Sequence, residues 1–292
     1  MKIALLSGFP NGAIDQVMQA IQKATAPLGI ETDILGVYKP EFKDTDLNNY
    51  DIAHAGFYPY FMMTPPENLP AGMTANVWHI SFAPGGGLLP DLVRNGHEIN
   101  RFIVDDVMTL QQLGLVGFTD VTKIPLPVDP SKWHHLPAPK SEFTVGIFCN
   151  DYPYKRWEVV VQAAKQAKVK CLAFVMPEGR KDYDLDPLND IYAKVHVLAS
   201  ATFVDTNSLP LREALMCGRP VVSTQNDGMS RVLVDGVNGY WFDGSTKDLA
   251  EKLTYCKENY ERLAAGARNT TMESLEYIGQ AYKKVWEGVL SE

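Results

Sequence analysis

The sequence predicts an α/β protein built from two doubly wound domains. Short apolar runs alternate with segments whose apolar residues recur at helical spacing, the pattern of βαβ units around a parallel sheet. The alternation breaks at a proline-rich stretch near the middle of the chain and then restarts. The 292 residues are enough for two domains that each bury a core.

The elements follow in order. Ile3–Ser7 is an apolar run of strand length, and Ala13–Ala24 places Ile14, Val17, Met18 and Ile21 on one helical face. Glu31–Val37, Tyr50–Ala55, Ala75–Ser81, Arg101–Val104 and Val121–Leu126 read as further strands, with Val107–Leu113 helical between the last two. Pro125, Pro127, Pro130, Pro137 and Pro139 then interrupt the pattern. Proline removes a backbone donor and fixes φ, so this stretch continues neither sheet nor helix and reads as a linker. After it come a strand at Phe143–Cys149, a helix at Arg156–Ala167 and strands at Val169–Met176 and Val195–Ser200. A helix at Pro210–Cys217 and a strand at Val221–Thr224 follow, and Asp248–Leu290 is nearly all helical. The expected division is a first domain over 1–128, a linker over 129–141, a second domain over 142–272 and a terminal helix over 273–292.

Composition narrows the function. Hydrophobic residues make up 46% and charged residues 21%, ordinary for a globular enzyme. No apolar run approaches the ~20 residues of a membrane span, so no stable membrane insertion is expected. The N-terminus lacks the basic and long apolar regions of a signal peptide and reads as a first strand. Cys149, Cys171, Cys217 and Cys256 are scattered, with no Cys-x-x-Cys pair. That argues against a zinc or redox centre and for buried thiols in a reducing cytoplasm. Net charge is −8, and residues 1–141 carry nine Lys and Arg against fourteen Asp and Glu. An acidic first half is a poor partner for a long polyanion.

The densest chemical signal runs from Asp205 to Thr224. A strand ends near Ser200, a loop carries Asp205, and a helix opens at Ser208-Leu209-Pro210. Proline suits a first helical turn and Ser208 is a good cap. Gly218 closes the helix and Pro220 precedes a buried strand. The helix start offers free N–H groups and partial positive charge, flanked by Asp205 and Glu213. Such a site suits a sugar diphosphate: amides for the phosphates, carboxylates for the hydroxyls.

These residues resemble the signature of the retaining GT-B glycosyltransferases related to glycogen and sucrose synthases, glycosyltransferase family 4. In that signature two Glu are separated by seven intervening residues, followed by Ala-x-x-x-Gly-x-Pro-Val-Val. Asp205 and Glu213 stand at the acidic positions, followed by Ala214, Gly218, Pro220, Val221 and Val222. The likeness extends to Asp235-Gly-Val-Asn-Gly239, Lys155, the linker Lys123–Asp129 and, weakly, Asp51-Ile-Ala-His54. It implies a GT-B architecture with the terminal helix crossing back to the first domain. It also implies a nucleoside-diphosphate sugar donor, UDP on family grounds, with no cofactor and no metal. Lys155 and Asp205 are then catalytic, and Glu213, Ser208, Leu209, Asn207, Arg156 and Asn150 line the donor. His54 or His79 is the candidate acceptor base, and Gly8, His79 and Gly86 are the acceptor-side candidates.

The sequence departs from the family at several points. The first acid is Asp205 rather than Glu, Thr206-Asn207-Ser208 replaces Gly-Phe-Gly, and Cys149-Asn150 replaces Gly-Arg. One phosphate-binding cation is therefore missing, and Lys155 with Arg156 must carry more of the leaving charge. Asp44-Thr-Asp46 and Asp182-Tyr-Asp184 imitate a metal motif but lie in polar loops and read as solvated charge. Gly8-Phe-Pro-Asn-Gly12 does not fit a dinucleotide fingerprint. The expected acceptor is a small or lipid-linked saccharide; hydroxymethylated DNA is the alternative. An epimerase or phosphorylase on the same fold, or a sugar-nucleotide-binding protein without activity, are the competing functions.

Overall fold

Ile3, Ala4, Leu5 and Leu6 are all fully buried in the first strand, β1 (Lys2–Ser7). A strand buried on both faces belongs to a parallel sheet with helices on each side. The computed structural model describes residues 1–63, 68–77, 92–93, 96–177, 188–203, 208–225 and 229–292. They form two units, Met1–Val128 with Glu273–Glu292 in the first, and Asp129–Arg180 with Asp184–Met272 in the second.

In the first unit β1 is followed by α1 (Ala13–Thr25), β2 (Glu31–Gly36), β3 (Ile52–Ala55) and β4 (Gly72–Asn76). Then come β5 (Arg101–Val104), α2 (Val107–Leu115) and β6 (Val121–Lys123). All strands pair in parallel, in the order β2-β1-β3-β4-β5-β6. The strand expected at Ala75–Ser81 begins earlier, at Gly72, and residues 78–81 lie outside the described residues. Asp106 caps α2, its carboxylate accepting from the Thr109 N–H at 2.7 Å.

The second unit holds β7 (Thr144–Asn150), α3 (Trp157–Gln166), β8 (Lys170–Met176), α4 (Leu188–Lys194) and β9 (Val197–Ser200). It continues with α5 (Leu209–Met216), β10 (Val221–Thr224), β11 (Gly239–Phe242), α6 (Thr246–Glu258) and α7 (Tyr260–Arg268). Its parallel order is β11-β10-β9-β7-β8. Gly239, read from sequence as the end of a turn, also opens β11. A Cβ there would run into the Val221 carbonyl, so glycine lets this strand lie against β10. Residues 129–141 pack into the second unit: Trp133 and Leu136 join its core, and the Leu136 N–H bonds the Cys217 carbonyl at 3.0 Å.

The tail, nearly all helical as expected, is three helices. α8 (Leu275–Ser291), capped by Ser274, returns to the first unit and packs on α1 and β4. Ile278, Tyr282, Val285, Trp286 and Val289 form its buried stripe at helical spacing. Each contributes roughly 1.5–3 kcal/mol of burial. Gly279 faces the Ala24 carbonyl of α1 so closely that no Cβ fits, which lets the two helices touch.

Candidate functional site

An open parallel sheet receives ligands beyond the carboxyl ends of its strands, where the chain reverses its direction of travel across the sheet. In the second unit that point lies between β7 and β9. Asn150 ends β7, and the loop leaving it holds Lys155 and Arg156. Trp157 Nε1 donates to Asp151 Oδ1 at 2.9 Å, and Tyr152 stacks on Tyr154 at 5.4 Å, which stiffens the loop. Lys155 is half-buried, with Nζ 5.4 Å from the centre of the Tyr154 ring.

Arg156 adopts φ 49° and ψ 38°, a left-handed conformation that is strained for a side chain with a Cβ. Its guanidinium lies 3.9 Å from the Phe203 ring centre, and one nitrogen donates to the Gly244 carbonyl at 3.0 Å. Three loops at one edge of the sheet thus meet around this side chain. Asn150 Oδ1, Thr202 Oγ1 and Arg156 Nη1 are buried without a hydrogen-bond partner among the described residues. Unpaired buried polar atoms cost roughly 1–3 kcal/mol each, and a polar ligand would relieve that cost.

α5 opens where the sequence places it, with Leu209 and Pro210 in the first turn. Ser208 stands at the cap with extended backbone, but its hydroxyl makes no capping bond, contrary to expectation. Gly218, at φ 75°, closes the helix, its N–H bonding the Leu215 carbonyl at 2.9 Å. Glu213 is 2% exposed, and its Oε2 accepts a 2.6 Å bond from the Tyr192 hydroxyl. Burial pushes its carboxyl up to about 7, against the opposing pull of the Tyr192 bond and Lys132. Asp205 and Asn207 lie outside the described residues, as do His79 and Gly86 on the acceptor side.

Tyr192 and Arg219 carry roles that the sequence reading missed. Arg219 is fully buried beneath β10. It donates to the carbonyls of Tyr192 at 2.8 Å, Pro137 at 2.7 Å and Leu136 at 3.4 Å, and to the Tyr260 hydroxyl at 3.2 Å. One guanidinium therefore fastens the proline-rich stretch to α4 and α7. An arginine wedged between a closing glycine and a buried Pro-Val-Val strand was the available signal.

In the first unit, Gly8 follows β1, and a Cβ there would run into the Tyr60 hydroxyl. His54, read as an acceptor base at a strand end, is fully buried in β3. Its Nδ1 shares a 2.9 Å hydrogen bond with Thr74 Oγ1 on β4, which also accepts from Trp286 Nε1 at 3.3 Å. The rings of Tyr282 and Trp286 meet it at centroid distances of 5.4 and 5.9 Å. His54 thus anchors α8 to the sheet. Burial lowers its pKa to about 3 from an ordinary 6.5. The unfolded chain therefore takes up a proton that the folded chain refuses. The His54 contribution to stability is complete above pH 6.5 and is lost as pH falls toward 3. At pH 5 the loss is about 2 kcal/mol relative to pH 7. Urea unfolding at both pH values should show His54→Gln with a smaller acid loss than wild type; equal losses would refute this.

The sequence profile of the glycosyl transferases group 1 matches residues 144–259. Over that span, in the second unit, the chain is similar to the group 1 glycosyltransferases. Sucrose synthase from Beta vulgaris is 30% identical over 95 residues, 30% of this chain and 12% of that enzyme. Anabaena HepE in complex with UDP-glucose superposes with a TM-score of 0.72 at 15% identity, over the whole of both chains. TarM from S. aureus, with UDP and α-GlcNAc-glycerol, gives 0.65 at 19% identity, over 80% of this chain and 55% of TarM. The chain thus spans about an eighth of the sucrose synthase and about half of TarM. The structural likenesses establish the GT-B fold. Among the described residues, no helix is long and apolar enough to cross a membrane.

Proposed function

We propose that the chain is a retaining glycosyltransferase that moves a sugar from a UDP-sugar to a hydroxyl of a small or lipid-linked saccharide, without a metal ion. The observation that carries this reading is the set of partnerless buried atoms of Asn150, Thr202 and Arg156 beyond β7 and β9, beside Lys155. UDP is favoured because HepE, TarM and the pneumococcal GtfA each have a structure with UDP or UDP-glucose bound.

In the reaction the anomeric C–O bond of the donor breaks and both electrons leave with the diphosphate. The acceptor hydroxyl attacks the same face, and its proton passes to the departing phosphate oxygen. Lys155, the Arg156 guanidinium and the N–H groups opening α5 meet the charge that develops there. Glu213 takes the ribose hydroxyls and Asp205 those of the transferred sugar. No step uses His54, whose burial keeps it from an acceptor.

Calorimetry with UDP tests the donor assignment. Glu213→Ala should weaken UDP binding by roughly 10- to 100-fold, the loss of a hydrogen bond to a charged group. Wild-type protein that binds neither UDP nor a UDP-sugar would overturn the reading. An α-linked donor should yield an α-linked product, read from the anomeric proton coupling; an inverted product would refute retention.

A further inference from the structure

Glu213 has two carboxylate oxygens, and the second unit fastens one of them. The Tyr192 hydroxyl donates to Oε2 at 2.6 Å, and among the described residues Oε1 accepts no hydrogen bond. Both side chains are interior: Glu213 is 2% exposed and Tyr192 is fully buried. A short bond from a hydroxyl to a carboxylate is charge-assisted and roughly twice as strong as a neutral one. The tyrosine has little freedom to leave. Its ring meets Trp133 edge-on at 5.6 Å, and Arg219 Nε holds its carbonyl at 2.8 Å. The proline-rich stretch, α4 and the residue before Pro220 thus fix the phenol that faces Glu213.

From this arrangement we propose that Tyr192 is a positioning residue of the donor site, pinning Glu213 by Oε2 so that Oε1 is set for a ribose hydroxyl. The inference rests on the donor reading above, which gives Glu213 the ribose, and adds the group that aims it. An unpinned glutamate samples several rotamers, and ordering it on binding costs entropy. Tyr192 moves that cost into folding. The same bond favours the charged carboxylate. Burial raises the Glu213 pKa to about 7, while the Tyr192 bond and then Lys132 pull it down. The other titratable groups facing it are neutral. Burial lifts the Tyr192 phenol well above its usual range and the Cys217 thiol up to about 12. A carboxylate accepts a hydroxyl bond more strongly than the neutral acid does. Donor binding is therefore strongest above pH 7 and weakens as pH falls through it.

The test is calorimetry on the full chain with UDP-glucose, whose diphosphate does not titrate near neutral pH, and with its 2′-deoxyribose analogue. Wild-type affinity for UDP-glucose should fall about tenfold from pH 8 to pH 6. Tyr192→Phe keeps the ring and its packing and removes only the donor. At pH 7 it should weaken UDP-glucose binding about three- to tenfold and cut the preference for ribose over 2′-deoxyribose by a similar factor. It should also move the midpoint of the pH response upward. Glu213→Gln cannot titrate, so its affinity should change less than about twofold across the same pH range; adding Tyr192→Phe should then cost little more. Equal weakening of both nucleotides by Tyr192→Phe, with the pH midpoint unmoved, would reduce Tyr192 to packing and overturn the inference. A pH response that survives in Glu213→Gln would overturn it too, without needing the tyrosine variant to fold. In both cases UDP-glucose still binds the wild type and the donor reading stands. A wild-type chain that does not bind UDP-glucose would refute that reading, and this inference with it.

Discussion

Lys155→Ala should lower the kcat of sugar transfer by about 10²–10³, with UDP affinity falling by tenfold or less. The chain lacks the family's Gly-Arg at Cys149-Asn150, so fewer fixed cations face the leaving diphosphate. Lys155 is held in a short turn between stacked tyrosines and the strained Arg156, which limits where its ammonium can go. Charge on the diphosphate grows as the glycosidic bond breaks, so a positioned ammonium helps the transition state more than the ground state. Single-turnover kinetics with a UDP-sugar, beside calorimetry with UDP, separates the two effects. Turnover within twofold of wild type would make Lys155 an ordinary surface lysine and move the role to Arg156. Arg156 starts from a parked position on Phe203 and Gly244, so Arg156→Ala should reduce kcat less than Lys155→Ala does.

Arg219→Ala should destabilise the second unit by about 3–5 kcal/mol, as expected when a buried, hydrogen-bonded ion is deleted and its partners stay inside. Three carbonyls and the Tyr260 hydroxyl lose a donor together. The cavity left below β10 cannot collapse, because Pro137 and Tyr192 are fixed by their own backbones. Arg219→Lys keeps a charge but cannot reach four acceptors from one planar fork, so it should recover only part of the loss. Urea unfolding followed by tryptophan fluorescence reads the change directly. A loss below ~1 kcal/mol would mean that the proline-rich stretch holds without this clamp.

Most of the fold was legible because parallel strands buried on both faces leave unbroken apolar runs. Arg101–Val104 and Val221–Thr224 matched strand for strand. β11 was missed because Gly239-Tyr-Trp-Phe242 follows a glycine-rich turn and looks like its continuation. That turn proved heavily bonded: Asn238 reaches the Val232 carbonyl and Thr270, and Asp235 accepts from the Trp241 N–H. α4 was missed because its sequence, Leu-Asn-Asp-Ile-Tyr-Ala-Lys, has too short a period to stand out. Within the site, α5 and the loop bearing Lys155 could be placed from Pro210, Gly218 and the preceding strand, since caps and breakers act locally.

What the sequence determined alone is therefore the part governed by local rules. These are the alternation of strands and helices, the break at the prolines, and the motif from Glu213 through Pro220 that resembles a glycosyltransferase signature. Only the tertiary structure decided which polar side chains are buried, and which partners they find. His54 looks like a functional group in one dimension, and packing against Trp286 makes it an anchor; Arg219 draws no notice in one dimension, and its bond to the Pro137 carbonyl makes it one too. Phe9, Tyr38 and Tyr60 lie far apart in the chain, and the strand order brings them together at the rim of the sheet. Periodicity and capping depend on neighbours a few residues away, whereas burial and pairing depend on partners tens to hundreds of residues distant. That separation sets the boundary between the two kinds of knowledge.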